Sequence, residues 1–173
     1  MELSKIIKIV GDQFPYPVTL VEITKDYRNL IYINESFLCE TLYRRDDIIG
    51  ANCKFLQGPE TDTEAVARIR NALNNFKPIC QDLINYKKNG EIFYNRLVLI
   101  PFVENKKKYV IGLQHVIPKE KFKTTAYEDQ TVLDDRTKNP LTVIALLLVS
   151  PVDKMENRLK VQIERLRTFV LSL

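Results

Sequence analysis

The stretch Gly50-Ala51-Asn52-Cys53-Lys54-Phe55-Leu56-Gln57-Gly58 brings a thiol, two amides and a cation together between two glycines. Hydrophobic residues at helical spacing precede this stretch, and the segment 59–64 follows it. A lone cysteine in such surroundings is usually a small buried hydrophobic residue. The polar residues downstream decide between that interpretation and a ligand-binding site.

Three amide side chains, Asn85, Asn95 and Gln114, lie on three consecutive predicted strands. Because an amide both donates and accepts hydrogen bonds, amides on adjacent strands suit a heterocycle with alternating N–H and C=O groups. Lys54 beside the cysteine and Arg70 on the next predicted helix can hold a phosphate, the lysine as a point charge and the arginine as a fork. The pattern therefore predicts a site for one planar, phosphorylated ligand.

The alternation of side chains along a strand places the three amides on one face of a predicted sheet. Aliphatic and amide side chains mix on that face, as expected of an apolar pocket with a few convergent polar groups: Leu83, Asn85, Asn95, Leu97, Leu99, Val110, Gly112 and Gln114. Gly112 either lets a ligand approach closely or marks a β-bulge. The opposite face, called here the outer face, is also largely apolar, so terminal helices, a second subunit or both are expected to cover it.

The motif Gly-x-Asn-Cys-x-Phe-Leu-Gln at positions 50–57 closely resembles the signature of light-oxygen-voltage (LOV) domains, a flavin-binding branch of the PAS superfamily. The resemblance runs from about Val18 to Val116, and the amides recur where that family has them. It implies an α+β fold with a five-stranded antiparallel sheet and helices on one face. The predicted order of two strands, short helices and three strands agrees with that architecture.

The resemblance implies a blue-light photoreceptor and not an enzyme. Cys53 would bond reversibly to the C4a atom of flavin mononucleotide (FMN) under light, and Gln114 would sense the flavin N5 and O4 atoms. The other cofactor-binding residues that it implies are Asn52, Lys54, Gln57, Arg70, Asn85 and Asn95 as polar contacts, and Phe37, Leu83, Leu97, Leu99 and Gly112 as lining. Many members of the family have arginine where Lys54 stands, and without that fork riboflavin and FAD stay open as alternatives to FMN.

Two other classes of protein are alternatives. The chain can be a dark, redox-sensing PAS flavoprotein, which reductant would bleach and light would not, or a PAS interaction module without flavin. Hydrolase-type nucleophilic catalysis is disfavoured, because no histidine or other base lies near Cys53 in the sequence.

The composition narrows the class of protein further. Of 173 residues, 45% are hydrophobic and 28% charged, and the net charge is +4 with no dense basic run beyond three lysines, which argues against nucleic-acid binding. Cys39, Cys53 and Cys80 form no metal-ligand pattern with the one histidine, His115, so no metal is expected. No apolar run reaches the ~18 residues of a membrane helix. A cytoplasmic protein with reduced thiols and no membrane contact is therefore expected.

The sequence predicts three parts. Residues 1–14 contain an amphipathic helix, residues 15–118 form the sensor domain, and residues 119–173 form a helical extension. Within the extension, Asn139-Pro140 and Ser150-Pro151 each resemble a helix start, which predicts a helical hairpin after a polar linker or charged helix. The apolar stripes of these helices predict a homodimer that signals to an unknown downstream protein.

Three local signals predict where elements begin and turn. Asn34 is a good N-cap for a short helix. Thr61-x-x-Glu64 reads as a capping box that opens a longer helix. Asn89-Gly90 predicts a tight hairpin between the third and fourth strands.

Overall fold

The computed structural model describes residues 3–12, 14–25 and 27–125. Its elements are α1 (Leu3–Gly11), β1 (Val18–Ile23), β2 (Arg28–Ile33), α2 (Glu35–Thr41), α3 (Arg45–Ile48), a 3₁₀ helix (Cys53–Leu56), α4 (Thr63–Asn74), β3 (Ile79–Tyr86), β4 (Ile92–Glu104), β5 (Lys107–Ile117) and a second 3₁₀ helix (Lys119–Lys121). The helical hairpin that the sequence predicts after residue 138 lies outside the described residues. No helix in the described part of the chain is long and apolar enough to cross a membrane.

The five strands form one antiparallel sheet in the order β2-β1-β5-β4-β3. This confirms the predicted α+β fold with a five-stranded antiparallel sheet. The last strand, β5, lies in the centre, because β1 pairs with it across most of the domain's sequence. A change at the middle of β5 therefore reaches both β1 and β4 through backbone hydrogen bonds.

The helices between β2 and β3 pack on the face of the sheet that carries the amides. A buried hydrophobic cluster joins the sheet to these helices: Leu30, Ile33, Phe37, Ile48, Leu56 and Phe93. Helix α1 packs on β1 and β2, and the Tyr32 hydroxyl donates to Asp12 Oδ1 at 2.7 Å and lies 3.1 Å from the Lys8 carbonyl oxygen. On the outer face, Ile100, Phe102, Tyr109 and Ile111 are buried, whereas Ile84, Tyr94, Val98 and Leu113 are only partly buried. This face is therefore covered in part.

Asn34 caps α2, as predicted, and also connects the chain before β1 to that helix. Its Oδ1 accepts from the Phe37 N–H at 3.1 Å and from the Val18 N–H at 2.9 Å. Its Nδ2 lies 2.8–3.3 Å from three carbonyl oxygens, those of Gly11, Phe14 and Tyr16. With only 1% of Asn34 exposed, these bonds replace water completely and fix the path of the segment between α1 and β1.

The predicted capping box at Thr61 is wrong. The N-cap of α4 is Asp62, whose side chain accepts from the Glu64 N–H at 2.9 Å. The Thr61 hydroxyl instead donates to the Ile84 carbonyl at 2.6 Å and accepts from the Gly58 N–H at 3.0 Å. Because β3 is an edge strand, this hydroxyl satisfies a carbonyl that no neighbouring strand can pair.

The tight hairpin predicted at Asn89-Gly90 is confirmed between β3 and β4. The β3–β4 loop comprises Lys88–Gly90, with positive φ only at Gly90, and the Asn89 side chain accepts from the Glu91 N–H. A two-residue turn with positive φ at both positions occurs at Asn105-Lys106 (φ 50° and 64°) in the β4–β5 hairpin. That geometry matches the twist of the flanking strands.

An ion pair with a buried carboxylate lies on the outer face, which the sequence predicts to be largely apolar. Arg96 Nε and Nη2 lie 2.9 and 3.1 Å from the two carboxylate oxygens of Asp82, which is 1% exposed. The paired geometry is the bidentate form in which arginine binds carboxylate most strongly. The ion pair therefore places hydrogen-bonding groups in a defined position on an otherwise largely apolar face.

The segment that follows β5 is fastened to this ion pair, and we call residues 118–125 the C-terminal strap. Arg96 donates to the Lys121 carbonyl at 3.0 Å, and the Lys123 N–H donates to Asp82 at 3.1 Å. The Phe122 ring packs against Tyr94, with ring centroids 5.2 Å apart. At its far end the strap meets α4, where Arg68 donates to the Thr124 carbonyl at 2.9 Å. The strap thus crosses from the sheet centre to the edge.

Candidate ligand-binding site

An inner cavity lies between the sheet and α4, with the first 3₁₀ helix at its rim. Val66, Ile69 and Leu73 line it from α4. Its volume is about 150 Å³, which is several times what one water requires. A void of that size with mostly apolar walls suits a fused-ring ligand.

All but one of the predicted site residues line the inner cavity: Asn52, Cys53, Lys54, Gln57, Arg70, Leu83, Asn85, Asn95, Leu97, Leu99, Gly112 and Gln114. Phe37 does not. Its side chain is fully buried in the hydrophobic cluster with Ile48 and Leu56, against which Cys53 and Phe55 pack. Phe37 therefore supports the 3₁₀ helix from behind.

Besides the α4 residues, the cavity has lining residues that the sequence did not predict: Thr19, Val21, Arg28 and Leu56. Thr19 and Val21 are two apart on β1, so the strand alternation that found the amides applies to them as well. Arg28 is the first residue of β2, and no local pattern in the sequence marks it as part of a site. Its position depends on the pairing of β2 with β1.

Gly112 is required by a neighbouring side chain and not by a bulge. The register of β1 against β5 runs without a shift through Thr19 and Gly112, so the bulge alternative is wrong. A Cβ at this position would lie 2.4 Å from Thr19 Oγ1. The space above the glycine is thus filled by Thr19, and the two residues together form one wall of the cavity.

Two buried amide oxygens on the sheet have no partner. Asn95 Nδ2 donates to Asn85 Oδ1 at 2.9 Å, and Asn85 Nδ2 donates to the Leu56 carbonyl at 3.2 Å. Asn95 Oδ1 and Gln114 Oε1 are left without a hydrogen bond, although these residues are only 1% and 4% exposed. An unpaired buried acceptor costs about 1–3 kcal/mol. Both oxygens therefore fit a ligand that brings N–H donors into the cavity, as the edge of a flavin ring does.

Cys53 opens the 3₁₀ helix and is held by its neighbours. The Asn52 side chain caps this helix by accepting from the Lys54 N–H at 3.1 Å. The Tyr43 hydroxyl donates to the Phe55 carbonyl at 3.2 Å, and the two rings lie 4.7 Å apart. Burial raises the pKa of the Cys53 thiol to about 12, so the sulfur keeps its proton at neutral pH. Among the described residues that line the cavity, none is a histidine, aspartate or glutamate.

Three cations stand at the mouth of the inner cavity, where it meets a larger outer cleft: Arg28, Lys54 and Arg70. Arg28 Nη2 donates to Asn74 Oδ1 at 2.6 Å, which fixes the guanidinium against the end of α4. Two arginine forks and one lysine can hold a phosphate here. Arg28, which the sequence did not indicate, thus supplies a second bidentate guanidinium, although a lysine follows Cys53.

A sheet-and-helix cavity that presents unpaired amides at one end and cations at the other defines a ligand-binding sensor domain of the PAS class. A family model described as "PAS domain" matches residues 15–116. The chain belongs to this family, and its PAS domain is of the LOV type, homologous to the LOV domains of phototropins and of LOV histidine kinases.

Two similar proteins show how much of the chain is shared. Blue-light-activated histidine kinase 2 of Erythrobacter litoralis is 33% identical over 151 residues, which is 84% of this chain and 44% of the kinase. Phototropin-1A of rice (Oryza sativa subsp. japonica) is 45% identical over 87 residues, which is 49% of this chain and 9% of the phototropin. The chain therefore spans less than half of the length of either relative.

Solved structures support the LOV assignment. The LOV domain of a blue-light activated histidine kinase from Erythrobacter litoralis superposes with a TM-score of 0.58 at 35% identity, over 61% of this chain and 99% of that one. The dark structure of the Aureochrome1 LOV domain gives a TM-score of 0.59 at 29% identity, over 68% of this chain and 85% of that one.

Proposed function

We propose that this chain is a flavin-binding blue-light sensor in which the Cys53 sulfur bonds reversibly to flavin C4a. The observation that carries the proposal is the pair of unpartnered amide oxygens on Asn95 and Gln114. Both residues line the same cavity as the Cys53 thiol. Their two oxygens suit a flavin ring that always carries one N–H group and gains a second when the sulfur bonds to it. The matches to proteins named as blue-light photoreceptors point the same way.

A bound flavin supplies absorption of blue light and the electrophilic carbon to which the thiol bonds. Cys53 provides both the sulfur and a proton, since the raised pKa keeps the thiol protonated at pH 7. Cys53 would give its sulfur to the flavin carbon and its proton to the flavin N5 atom. The balance of atoms therefore needs no separate base, in agreement with the absence of histidine and carboxylate from the described lining residues.

Gln114 is the residue that passes the change to the protein. Once N5 carries a proton, an amide that donated to it has to rotate and offer its oxygen, because two N–H groups repel each other. Gln114 lies on the central strand, opposite Leu97 of β4, and its backbone N–H donates to the Pro17 carbonyl at 3.0 Å. Rotation of this side chain thus acts on β4, on the segment before β1 and on the strand that leads into the C-terminal strap.

Absorption spectroscopy of the unmodified chain and of Gln114→Leu tests the proposal. We expect the unmodified chain to show a blue absorption band that illumination removes and darkness restores. Gln114→Leu should keep this cycle, with a small shift of the band, because Cys53 and the cavity volume remain. Its light-induced change in circular dichroism or hydrogen exchange should fall several-fold, since the amide that senses N5 is gone.

Other outcomes of the same experiment separate the alternatives. A band that dithionite removes and light does not would identify a dark redox-sensing flavoprotein. A colourless chain that takes up no flavin would identify an interaction module. An undiminished structural response in Gln114→Leu would show that the signal leaves the flavin by another route.

We also propose that the sensor works as a homodimer that contacts a further, unidentified protein. The supporting observation is the outer face, where the apolar side chains of Ile84, Tyr94, Val98 and Leu113 are only partly buried. Burying such surface stabilises association by about 25 cal/mol per Å², and a symmetric dimer is the commonest way to do so.

Sedimentation in darkness and in light checks the dimer. The full chain is expected to associate with a dissociation constant that light changes by about 5–150-fold, the usual scale of coupling between sites. A shortened chain that ends at Thr125 keeps the strap and the ion pair and is expected to associate more weakly. If the full chain stays monomeric at high concentration in both states, or if shortening changes nothing, the dimer through the terminal helices is excluded.

A further inference from the structure

The outer cleft at the cavity mouth is larger than one phosphate requires. Its volume is about 580 Å³, and it continues past the mouth between the end of α4 and the loop that joins β1 to β2. Five cations line it: Lys25, Arg28, Lys54, Arg70 and Lys108. No aspartate or glutamate is among its described lining residues.

The cations fall into two sets by position. Arg28, Lys54 and Arg70 line both the inner cavity and the cleft, so they stand where the phosphate next to a flavin's ribityl chain would lie. Lys25 and Lys108 line only the outer cleft. Two further cations beyond the first phosphate position suit a second phosphate, because clustered positive charge favours an extended anion.

Two aromatic rings also line the outer cleft. Tyr27 is 68% exposed, and Phe76, at the end of α4, has a φ of +53°. A helix commonly ends with glycine in this left-handed conformation, which is strained for a bulky side chain. The chain nevertheless has phenylalanine there, with the Lys108 ammonium 5.6 Å from the ring centroid. Phe76 is half-buried, whereas Tyr27 is exposed, and an exposed aromatic face beside cations is the usual platform for a nucleic acid base.

From this arrangement we propose that the outer cleft binds the adenosine diphosphate half of flavin adenine dinucleotide, so that the chain prefers FAD to FMN. The proposal rests on the proposed flavin site and specifies its ligand. The first phosphate lies among Arg28, Lys54 and Arg70, and the second reaches Lys25 and Lys108. The adenine stacks on Tyr27 or Phe76.

Flavin binding to the flavin-stripped full chain tests this assignment. The affinities for riboflavin, FMN and FAD are measured by flavin fluorescence, together with that for ADP in the presence of riboflavin. We expect FAD to bind more tightly than FMN. The double variant Lys25→Gln/Lys108→Gln should lower the affinity for FAD by about tenfold, because two charge-assisted contacts are lost. The affinity for FMN should change by less than about twofold, because salt screens charges that do not contact its single phosphate. Lys119→Gln, which removes one exposed charge outside the cleft, is the control and should change neither affinity.

Each outcome decides a different point. Tighter binding of FMN than of FAD, or equal losses for both flavins in the double variant, would overturn the adenosine site and leave the flavin site standing. Binding of ADP beside riboflavin that the double variant weakens would support the same cleft chemistry. A chain that binds none of the three flavins would overturn the proposed function and this inference together.

Discussion

Replacing Cys53 with alanine is expected to abolish the reversible light-induced loss of the blue absorption band. The cavity contains no other thiol among its described lining residues, and no other side chain there can bond to the flavin carbon and return in darkness. The amides of Asn85 and Asn95 and the cations at the mouth are untouched. Flavin binding should therefore change by less than about threefold, since only a small, weakly interacting sulfur is lost.

The measurement is the absorption spectrum of the purified variant before, during and after blue light. Cys80→Ala is a matched control. The Cys80 thiol is half-buried on β3, and burial raises its pKa to about 11, yet it does not line the cavity. This control should bleach and recover as the unmodified chain does. Reversible bleaching that persists in Cys53→Ala would remove Cys53 from its proposed role.

Replacing Asn34 with alanine is expected to lower the free energy of unfolding by about 3 kcal/mol or more. The variant leaves the N–H groups of Val18 and Phe37 without their side-chain acceptor, and it removes the Nδ2 donor from the Tyr16 carbonyl. Each buried group that loses its partner costs about 1–3 kcal/mol. Urea unfolding followed by circular dichroism measures the change.

Ser36→Ala is the control for this variant. The Ser36 hydroxyl donates to the Phe14 carbonyl at 3.0 Å from a half-buried position, so it reaches one of the same groups with a single bond. Its loss should cost about 1 kcal/mol. If Asn34→Ala costs no more than Ser36→Ala, water or a shifted backbone satisfies the groups around Asn34, and the residue is only an ordinary helix cap.

The sequence predicted the amide wall of the site correctly because strand alternation has a period of two. Errors of one or two residues at the ends of β3, β4 and β5 do not change which side chains share a face, so Asn85, Asn95 and Gln114 were placed together. The same argument extends to Thr19 on β1, but its importance depends on Gly112 lying opposite. That pairing joins distant parts of the chain and leaves no local trace.

Local hydrogen-bond signals predicted less, because one side chain often has several partners within reach. Thr61 matches a capping box, yet the edge of β3 offers its hydroxyl the Ile84 carbonyl, which no neighbouring strand pairs. Asp62, one residue later, caps α4 instead. Phe37 was placed in the cavity from the resemblance, whereas its packing is set by α3 and the 3₁₀ helix. Competition of this kind is settled by tertiary contacts and not by spacing.

The C-terminal strap determines where anything joined after this domain is anchored. A module fused directly after Ile117 would start at the central strand β5. Such a fusion would also remove the contacts that Asp82 and Arg96 make with residues 121 and 123. A module fused after Thr125 would start beside Arg68 on α4 instead. The choice between these two fusion sites thus moves the attached module across the domain. A protein engineer who wants light control should treat residues 118–125 as part of the sensor's own fixed body.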